Sequence, residues 1–332
     1  MSRPSRTASL AMALLLTAIL GCSKSPTPTD AHASATSEAG KAKRTIVMIP
    51  KATQSAFWNA VRRGGEQAAK DLDVELLWKG PGSENDRAGQ KQVTQQFTNS
   101  SVDGICLAPT DSKALAAEVR SATAKGIPVL IFDSAVDGEV GKDFISFVAT
   151  DNTKAGELGG KHLMELVGKG GKTICFRHME GHESTSKRED GAIAEMKAGE
   201  AEILVDDRYT GASQGEAQTT ALNMIDVVRK ADGVFASNQT ASEGVLAALR
   251  KTNLAGKVKF VGFDSSPQLV AALRDGEIDA LVVQDPVKMG YTAVKMMVDH
   301  LDGKPIEEQV VTDVRIATKE NMETPEIKPL LD

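Results

Sequence analysis

Short apolar runs alternate with longer stretches of helical periodicity from Thr45 onward, and this alternation limits the fold more than any other feature. The run TIVMIP precedes the helical stretch FWNAVRRGGEQAAKDL, VELLWKG precedes DRAGQKQVTQQFTNS, and the same order continues almost to the end of the chain. The apolar runs show little alternation of inward and outward residues, which is typical of strands buried on both faces of a parallel sheet. The sequence therefore predicts an α/β fold with doubly wound parallel sheets.

Two strand-end patterns occur twice at nearly the same spacing. VLIFDSA and FVGFDSS both place Phe-Asp-Ser after an apolar run, and Asp133 and Asp264 are 131 residues apart (264 minus 133). VDGICLAPT and ADGVFASNQT share Asp-Gly before an apolar run, and Gly104 and Gly233 are 129 residues apart (233 minus 104). Two matches in the same order predict two halves of one design, with a cleft between two domains.

The carboxyl ends of the predicted strands carry polar residues from both halves. Ligands of open α/β sheets bind outside these ends, so the residues there are candidates for a binding site. They are Lys51, Thr110, Asp111, Asp133, Asp151, His178, Asn238, Asp264 and Gln284. The sequence therefore predicts one polar, hydrogen-bonding cleft.

The first predicted turn between strand and helix, IPKATQSAFW, contains no glycine and carries two aromatic residues. It therefore does not match a dinucleotide-binding turn. Adjacent residues on a helix face different ways, so we expect either Phe57 or Trp58 to face the cleft. An aromatic face beside carboxylates, amides and guanidinium groups suits a sugar, which offers apolar C–H patches and vicinal hydroxyls.

A hydrolase is a weaker alternative. GASQG, residues 211–215, matches the G-x-S-x-G nucleophile pattern with Ser213 at its centre. The histidine that should follow is present only as His300, inside a helical stretch, and Thr210, Gly211 and Ser213 also suit a helix cap.

Metal and nucleotide sites find little support in the sequence. His178, His182 and Glu183 cluster in RHMEGHES, but the spacing does not match H-E-x-x-H, and no cysteine pair has zinc-site spacing. We expect these residues to be solvated at the lip of the cleft, with a ligand contact by one of them left open. No metal, cofactor or nucleotide is predicted.

The N-terminal residues predict export. Arg3 and Arg6 precede the apolar run LAMALLLTAIL, and AILGC resembles a bacterial lipobox, in which Cys22 is lipidated after cleavage. We expect residues 1–21 to be a lipoprotein signal peptide and residues 22–43 a disordered tether poor in large apolar side chains. A plain secretory signal cut a few residues later is the alternative.

The charge balance argues against a nucleic-acid partner. Without residues 1–21, which hold two arginines and no acid, 37 basic residues (39 minus 2) face 45 acidic ones, a formal charge of −8. Cys106 and Cys175 each lie in an apolar run, where buried thiols are favoured over a disulfide between them.

From about Thr45 to near Lys319 the chain resembles the type I periplasmic sugar-binding proteins, ribose-binding-like, of ABC importers. The motifs that carry the resemblance are FW after the first strand, VDGICLAPTD, IPVLIFD, FVATDN, STSKREDG, DGVFASN, VKFVGFD and DALVVQDP. A single motif would be weak evidence for the resemblance, but all of them in this order are specific to the family.

The resemblance implies which residues contact a sugar. They are Ser55, Phe57, Trp58, Asp133, Arg188, Asn238, Phe263, Asp264 and Gln284, to which its strand-end position adds Lys51. Ribose-binding-like members carry a polar amide where this chain has Ala108, an arginine where it has Ser134, and a small hydroxyl residue where it has Lys51. We therefore do not assign ribose as the ligand.

The resemblance also implies the domain organisation. Residues 44–150 with 285–311 would form the N-terminal domain, and residues 151–284 with 312–332 the C-terminal domain. Chain crossings near Asp151, Asp285 and Val311 would act as the hinge of a monomer.

The predicted function is that of an extracytoplasmic lipoprotein without a transmembrane helix in its mature chain. It would clamp a small sugar or polyol and deliver it to the membrane permease of an ABC importer. A receptor for a sugar or furanose-like signal, coupled to a sensor kinase or chemoreceptor, is an alternative with the same fold. A transcription factor of the lac repressor type is excluded, because a signal peptide and tether stand where its DNA-binding headpiece belongs.

Overall fold

A computed structural model describes residues 43–331, and within this range the strands form two six-stranded sheets. The first sheet contains β1 (Thr45–Ile49), β2 (Glu75–Trp78), β3 (Gly104–Leu107), β4 (Val129–Phe132), β5 (Ser146–Thr150) and β11 (Gln309–Thr312). The second contains β6 (Lys172–Arg177), β7 (Glu202–Tyr209), β8 (Gly233–Ala236), β9 (Lys259–Phe263), β10 (Ala280–Gln284) and β12 (Val314–Thr318). The predicted signal peptide, tether and Cys22 lie outside the described residues.

The helices pack on the two sheets and on one another. Those of the first sheet are α1 (Ala56–Asp71), α2 (Arg87–Thr98), α3 (Ala116–Ala124) and α10 (Pro286–Leu301). Those of the second are α4 (Asn152–Val167), α5 (Glu183–Ala198), α6 (Gln214–Asn223), α7 (Ile225–Val228), α8 (Gln239–Lys251) and α9 (Pro267–Asp275). A short 3₁₀ helix, Lys328–Leu330, lies near the C-terminus. We call each sheet with its helices the first lobe and the second lobe.

The two sheets have the same strand order. The first runs β11-β5-β4-β3-β1-β2 and the second β12-β10-β9-β8-β6-β7, so that β4 corresponds to β9 and β5 to β10. Their pairings are parallel apart from β10 with β12, which is antiparallel. The predictions of an α/β fold and of a repeated design are confirmed.

The central strands are buried on both faces, as their unbroken apolar sequences indicate. Every residue of β3, β4 and β8 is buried. Helices cover both sides of each sheet, so a strand with alternating polar residues would place polar groups in the core. Continuous apolar runs therefore fit these positions.

The chain passes between the lobes at three neighbouring strand ends. After β5 it enters α4, which packs on the second sheet, and after β10 it enters α10, which packs on α1 and the first sheet. The third passage joins β11 to β12. Polar side chains connect the passages, because Thr150 Oγ1 donates to Gln284 Oε1 at 2.8 Å and lies 3.1 Å from Thr312 Oγ1.

The chain between β7 and β8 forms two short helices instead of one long helix. The stretch from Gln214 to Arg229 forms α6 and α7, which meet at Met224. Leu222, Met224, Ile225 and Val228 all pack against the core of the second lobe. These positions lie on different faces of one continuous helix, so the break lets all of them reach the same core.

The two cysteines within the described residues are free and fully buried. Cys106 lies among apolar residues of the first lobe and Cys175 among those of the second. Burial raises the pKa of both thiols, which keeps them protonated and unreactive. No helix within residues 43–331 is both long and apolar enough to cross a membrane.

Glycines allow α1 and α10 to approach closely. A Cβ atom on Gly290 would lie 2.0 Å from the carbonyl oxygen of Val61, and one on Gly64 would lie 1.9 Å from that of Val287. Such distances are far below van der Waals contact, so a side chain at either position would force the helices apart. Since α10 follows the second passage between lobes, this contact fixes where the chain re-enters the first lobe.

We expect Gly290→Ala to lower the free energy of unfolding by about 2 kcal/mol or more, because the added methyl group overpacks the α1–α10 contact. Chemical denaturation followed by circular dichroism measures the change. Gly215→Ala is the matched control, since Gly215 is an exposed helical residue with no neighbouring atom within 4 Å of its Cβ position. It should leave stability unchanged or raise it by about 0.5–1 kcal/mol. Equal stability of Gly290→Ala and the parent would contradict the close helix contact.

Candidate functional site

The two repeated Phe-Asp-Ser segments adopt the same backbone conformation at equivalent strand ends. Asp133 follows β4 with φ of 64°, and Asp264 follows β9 with φ of 66°. The Asp133 N–H donates to Val148 O at 2.9 Å, and the Asp264 N–H donates to Val282 O at 2.8 Å, each on the neighbouring strand. Left-handed backbone is uncommon for residues other than glycine, so its occurrence at both sites indicates a repeated functional position.

The strand ends of both lobes surround a cavity of about 430 Å³. Of the residues predicted to contact ligand, those that line it are Lys51, Ser55, Phe57, Trp58, Asp133, Arg188, Asn238, Asp264 and Gln284. Phe263 is fully buried behind them and does not line the cavity. The volume falls within the usual range for small-molecule sites, about 300–1,000 Å³.

The first lobe contributes a buried ion pair to the cavity wall. Lys51 Nζ lies 2.7 Å from Asp133 Oδ2, and both side chains are almost fully buried. Lys51 Nζ also donates to Ser184 Oγ of the second lobe at 2.9 Å. The pairing lets both charges remain inside the protein, because an isolated buried charge would cost several kcal/mol.

The second lobe contributes a hydrogen-bonded arginine. Arg188 donates from Nε to Asn152 Oδ1 at 2.8 Å, from Nη1 to Ser237 O at 3.2 Å and from Nη2 to Gln284 Oε1 at 3.0 Å. Its guanidinium lies 4.1 Å from the centre of the Phe263 ring. The stacking and the three hydrogen bonds fix the plane of the guanidinium at the cavity wall.

Asp264 is bound by two groups of its own lobe. Its Oδ1 accepts from Gln284 Nε2 at 2.7 Å, and its Oδ2 accepts from the Gln239 N–H at 2.9 Å. Burial raises the pKa of Asp264, and the charge of Arg188 with the two hydrogen bonds offsets this only in part. The two hydrogen bonds fix the orientation of the carboxyl group at the cavity wall.

Both aromatic residues of α1 line the cavity, so the expectation that only one would face it is wrong. Their rings meet edge to face, with centroids 5.0 Å apart. Trp58 is buried against Phe132 and donates from Nε1 to Glu84 Oε1 at 2.7 Å. The cavity borders the first turn of α1, where neighbouring side chains on different faces can both reach it.

Two of the predicted contact residues have structural partners as well. Ser55 caps α1 by accepting from the Trp58 N–H at 3.1 Å, and Asn238 caps α8 by accepting from the Ala241 N–H at 3.0 Å. A helix cap satisfies backbone groups that would otherwise be unpaired. The sequence alone could not distinguish helix capping from ligand contact at these two positions.

The positions that depart from the ribose-binding-like pattern have different surroundings. Ala108 is buried, does not line the cavity, and accepts from Gln90 Nε2 at 2.7 Å through its carbonyl oxygen. Ser134 is buried and accepts through Oγ from the Ser184 N–H at 3.1 Å. Ser134 thus joins the two lobes. An arginine at this position would make different contacts between them.

The two histidines of RHMEGHES are not solvated, contrary to the expectation. His178 and His182 are fully buried, and His178 Nε2 lies 3.0 Å from Glu84 Oε2 of the first lobe. Only Glu183 of the three is partly exposed, and its Oε2 accepts from the Ala135 N–H at 3.2 Å. The loop before α2 covers the histidines, and the spacing along the chain does not reveal that contact.

Several residues of the site were not predicted from the sequence. Gln239 accepts through Oε1 from the Phe57 N–H at 3.0 Å and so joins the lobes. Asn152, Ser184 and Glu84 hold Arg188, Lys51 and Trp58 respectively. Asn152 and Gln239 each directly follow a predicted strand-end residue, and this position next to the strand end is the sequence signal that marks them. Glu84 lies in a loop without a periodic pattern, where no sequence signal marks it.

A second cavity, of about 560 Å³, lies between the starts of α1, α9 and α10 and residues 329–331. It shares Phe57, Asp264 and Gln284 with the smaller cavity. The smaller one is the better candidate despite its size, because the buried charges of Lys51, Asp133 and Arg188 line it. Buried charges at a cavity wall are typical of a binding site, because desolvated charges need polar partners.

The site lacks the arrangement of a serine hydrolase. Ser213 caps α6, accepting through Oγ from the Glu216 N–H at 3.2 Å and donating to Glu216 Oε2 at 2.9 Å. His300 lies in the last turn of α10. GASQG is therefore a helix-capping segment.

Comparisons with known proteins agree with this geometry. Residues 46–305 match the family described as periplasmic binding protein domain. The ribose import binding protein of Bacillus subtilis (strain 168) is 27% identical, covering 94% of this chain and 98% of that protein.

Two solved structures are similar along nearly their whole length. A carbohydrate transporter solute binding protein from Agrobacterium radiobacter, in complex with D-arabinose, is 33% identical with a TM-score of 0.82, covering 88% of this chain and 99% of that one. An ABC transporter solute binding protein from Agrobacterium vitis, with bound D-fucose, is 30% identical with a TM-score of 0.84, covering 87% and 100%.

These relatives are substrate-binding transport proteins, so the prediction that the chain is not an enzyme is confirmed and the hydrolase alternative is not favoured. Their family is extracytoplasmic, which agrees with the predicted export. The fold, the cleft and the matches together show that this chain belongs to the periplasmic binding protein family, and they confirm its resemblance to the type I sugar-binding branch.

Proposed function

We propose that the protein clamps a neutral sugar or polyol in the 430 Å³ cavity and delivers it to an ABC importer. The observation that carries this proposal is the set of buried, oppositely charged side chains from both lobes around one cavity. Carboxylates accept from sugar hydroxyls, and lysine and arginine donate to them, so vicinal hydroxyls can bond to both kinds of group. A relative named for ribose import and two similar structures with D-arabinose or D-fucose bound support the ligand class.

The charge balance of the cavity supports a neutral ligand. Lys51 is paired with Asp133 and the charge of Arg188 acts on Asp264, so these four charges cancel. The two other carboxylates of the wall, Glu84 and Glu243, each accept a hydrogen bond from the protein. A sugar acid or amino sugar would bring an unpaired charge into a desolvated site, which is costly. Neutral hydroxyls can join the existing hydrogen bonds without changing the charge.

The aromatic rings supply the apolar part of the site. Phe57 and Trp58 are held at right angles by their mutual contact and by the Trp58–Glu84 hydrogen bond. A fixed ring edge or face covers the C–H groups of a sugar at little entropic cost. We propose that these rings discriminate among sugars together with Lys51.

We further propose that the lobes open and close about the three passages near Thr150, Gln284 and Thr312. In the present structure the lobes are joined by bonds of Lys51 with Ser184, and of Phe57 with Gln239. Arg87 also donates to the carbonyl oxygen of Glu180 across the cleft. These contacts are those of a closed form, and a ligand bonded to both lobes would favour it.

The proposed setting is the extracytoplasmic face of a membrane, with lipidated Cys22 as the anchor and residues 22–43 as the tether. A tether lets the soluble lobes reach a permease while remaining near it, which raises their effective concentration at the membrane. Lipid attachment at Cys22 is supported by the AILGC pattern.

A thermal-shift screen of neutral pentoses, hexoses and polyols tests the ligand class. At about 100 times its Kd, a ligand of the folded state stabilises it by about 2.7 kcal/mol, which raises Tm by several degrees. We expect a subset of neutral sugars to produce this shift. Matched sugar acids and amino sugars should not, and stabilisation by none of the neutral compounds would contradict the proposal.

We expect Asp133→Ala and Asp264→Ala each to weaken binding of the identified sugar by at least about 2 kcal/mol, roughly 30-fold in Kd. Each change leaves a buried cation or amide without its carboxylate. Isothermal titration calorimetry measures the affinity, and thermal unfolding without sugar confirms that the variants fold. Asp137→Ala is the control, because Asp137 is an exposed carboxylate in the loop after β4, the strand that Asp133 follows. Parent-like affinity in both site variants would show that the sugar binds elsewhere.

Small-angle X-ray scattering tests closure. Saturating sugar should reduce the radius of gyration of the parent, because the ligand bonds to both lobes and draws them together. A sugar concentration that saturates the parent should leave the site of the weaker-binding Asp264→Ala variant largely empty. The variant should therefore remain open. An identical scattering profile of the parent with and without a bound sugar would rule out ligand-driven closure.

A further inference from the structure

Two buried histidines and one glutamate meet at the edge of the cleft. Glu84 comes from the loop between β2 and α2 of the first lobe, and His178 and His182 from the loop between β6 and α5 of the second. Both histidine side chains are fully buried, and the glutamate side chain is 17% exposed. Their potential ligand atoms all lie within 4.8 Å of one another.

Three of the four ring nitrogens in this cluster have no hydrogen-bond partner among residues 43–331. They are His178 Nδ1, His182 Nδ1 and His182 Nε2. A neutral imidazole carries a proton on one nitrogen, so His182 buries an N–H group without an acceptor. Leaving a buried donor unpaired costs about 1–3 kcal/mol, and such a group needs an explanation.

The spacing of the three side chains fits a small divalent cation. Glu84 Oε2 lies 3.0 Å from His178 Nε2 and 3.6 Å from His182 Nδ1. Tetrahedral zinc has bonds of about 2.0–2.1 Å to nitrogen and oxygen, which puts neighbouring ligand atoms about 3.3–3.4 Å apart. The two distances lie on either side of this value, so small side-chain movements would suffice.

The carboxylate is already oriented for this purpose. Glu84 Oε1 accepts from Trp58 Nε1 at 2.7 Å, which leaves Oε2 directed at the histidines. Hydrogen bonds of this kind to ligating groups orient a metal site and strengthen it.

The pKa values of Glu84 and His182 are both shifted downward. Burial would raise the pKa of Glu84, but the hydrogen bond from His178 and nearby positive charges outweigh it and hold that pKa well below its usual range. Burial, followed by the charges of Lys51 and His178, lowers the pKa of His182 well below its usual range. A carboxylate and a neutral imidazole are the forms that bind metal ions.

The cationic neighbours are compensated by acids of their own. Lys51 is paired with Asp133 at 2.7 Å, and Arg87 lies 3.4 Å from Asp111. Neither Lys51 nor Arg87 therefore needs Glu84 as its partner.

We propose that Glu84, His178 and His182 bind a divalent transition-metal ion, Zn²⁺ by preference, which ties the first lobe to the second. Two imidazoles and one carboxylate suit zinc, with a fourth position left for water. Because one ligand comes from one lobe and two from the other, the ion stabilises the closed form without any sugar. The site is separate from the sugar proposal, although Glu84 also lines the cavity.

Isothermal titration of Zn²⁺ into the untagged, chelator-treated protein without sugar tests the site. We expect one ion per chain with a Kd in the micromolar range or below. Glu84→Gln and His182→Ala should each weaken binding by at least about tenfold. His162→Ala is the matched control, since His162 is a partly exposed histidine beside Glu165 and should leave the titration unchanged.

A second measurement guards against a variant that fails to fold. Zn²⁺ should raise Tm of the parent and of His162→Ala, but not of the His178→Ala/His182→Ala double variant, whose Tm in chelator shows whether it is folded. If the double variant is unfolded, Glu84→Gln and the parent decide the question by the same comparison. No stoichiometric binding to the parent, or equal binding in Glu84→Gln and His182→Ala, overturns the proposal.

Discussion

Compensation of buried charge at the carboxyl ends of the two sheets is the constraint on which the site depends. Lys51 and Asp133 can both be buried only because they are paired at 2.7 Å, and Arg188 only because three oxygens accept its N–H groups. These bonds fix the side chains before a ligand arrives. A site prepared in this way loses little entropy when it binds, and its polarity favours hydroxyl groups over apolar molecules.

The same strand-end geometry occurs once in each lobe, but its partners differ. Asp133 and Asp264 share a left-handed backbone and equivalent hydrogen bonds to the next strand. Asp133 pairs with a lysine of its own lobe, whereas Asp264 is bound by Gln284 and by a backbone N–H. The duplication therefore supplies the frame of the cleft, and the differing partners make its two walls chemically distinct. An asymmetric ligand such as a sugar can then bind in one orientation.

Contacts between the lobes also explain which parts of the site were predictable. Strand-end residues such as Asp133 and Gln284 were found because parallel strands bring their carboxyl ends to one edge. Arg188 came only from the family resemblance, since it lies within α5 and reaches the cavity from the side. Glu84 and the buried state of His178 and His182 were missed. Their contact joins loops that are 94 residues apart in the case of Glu84 and His178, and no local pattern encodes it.

The sequence by itself determined the α/β architecture, the two repeated halves and a set of the residues that line the cleft. These features follow from local periodicity and from the fixed geometry of parallel sheets. Both depend on the order of residues along short segments, so they can be read without knowing the tertiary contacts. Only the tertiary structure decided that both Phe57 and Trp58 border the cavity, that Phe263 lies behind Arg188, and that two histidines are buried against a glutamate. The physical reason is that these contacts depend on how two lobes meet, and residues from separate loops become neighbours only once the cleft has formed.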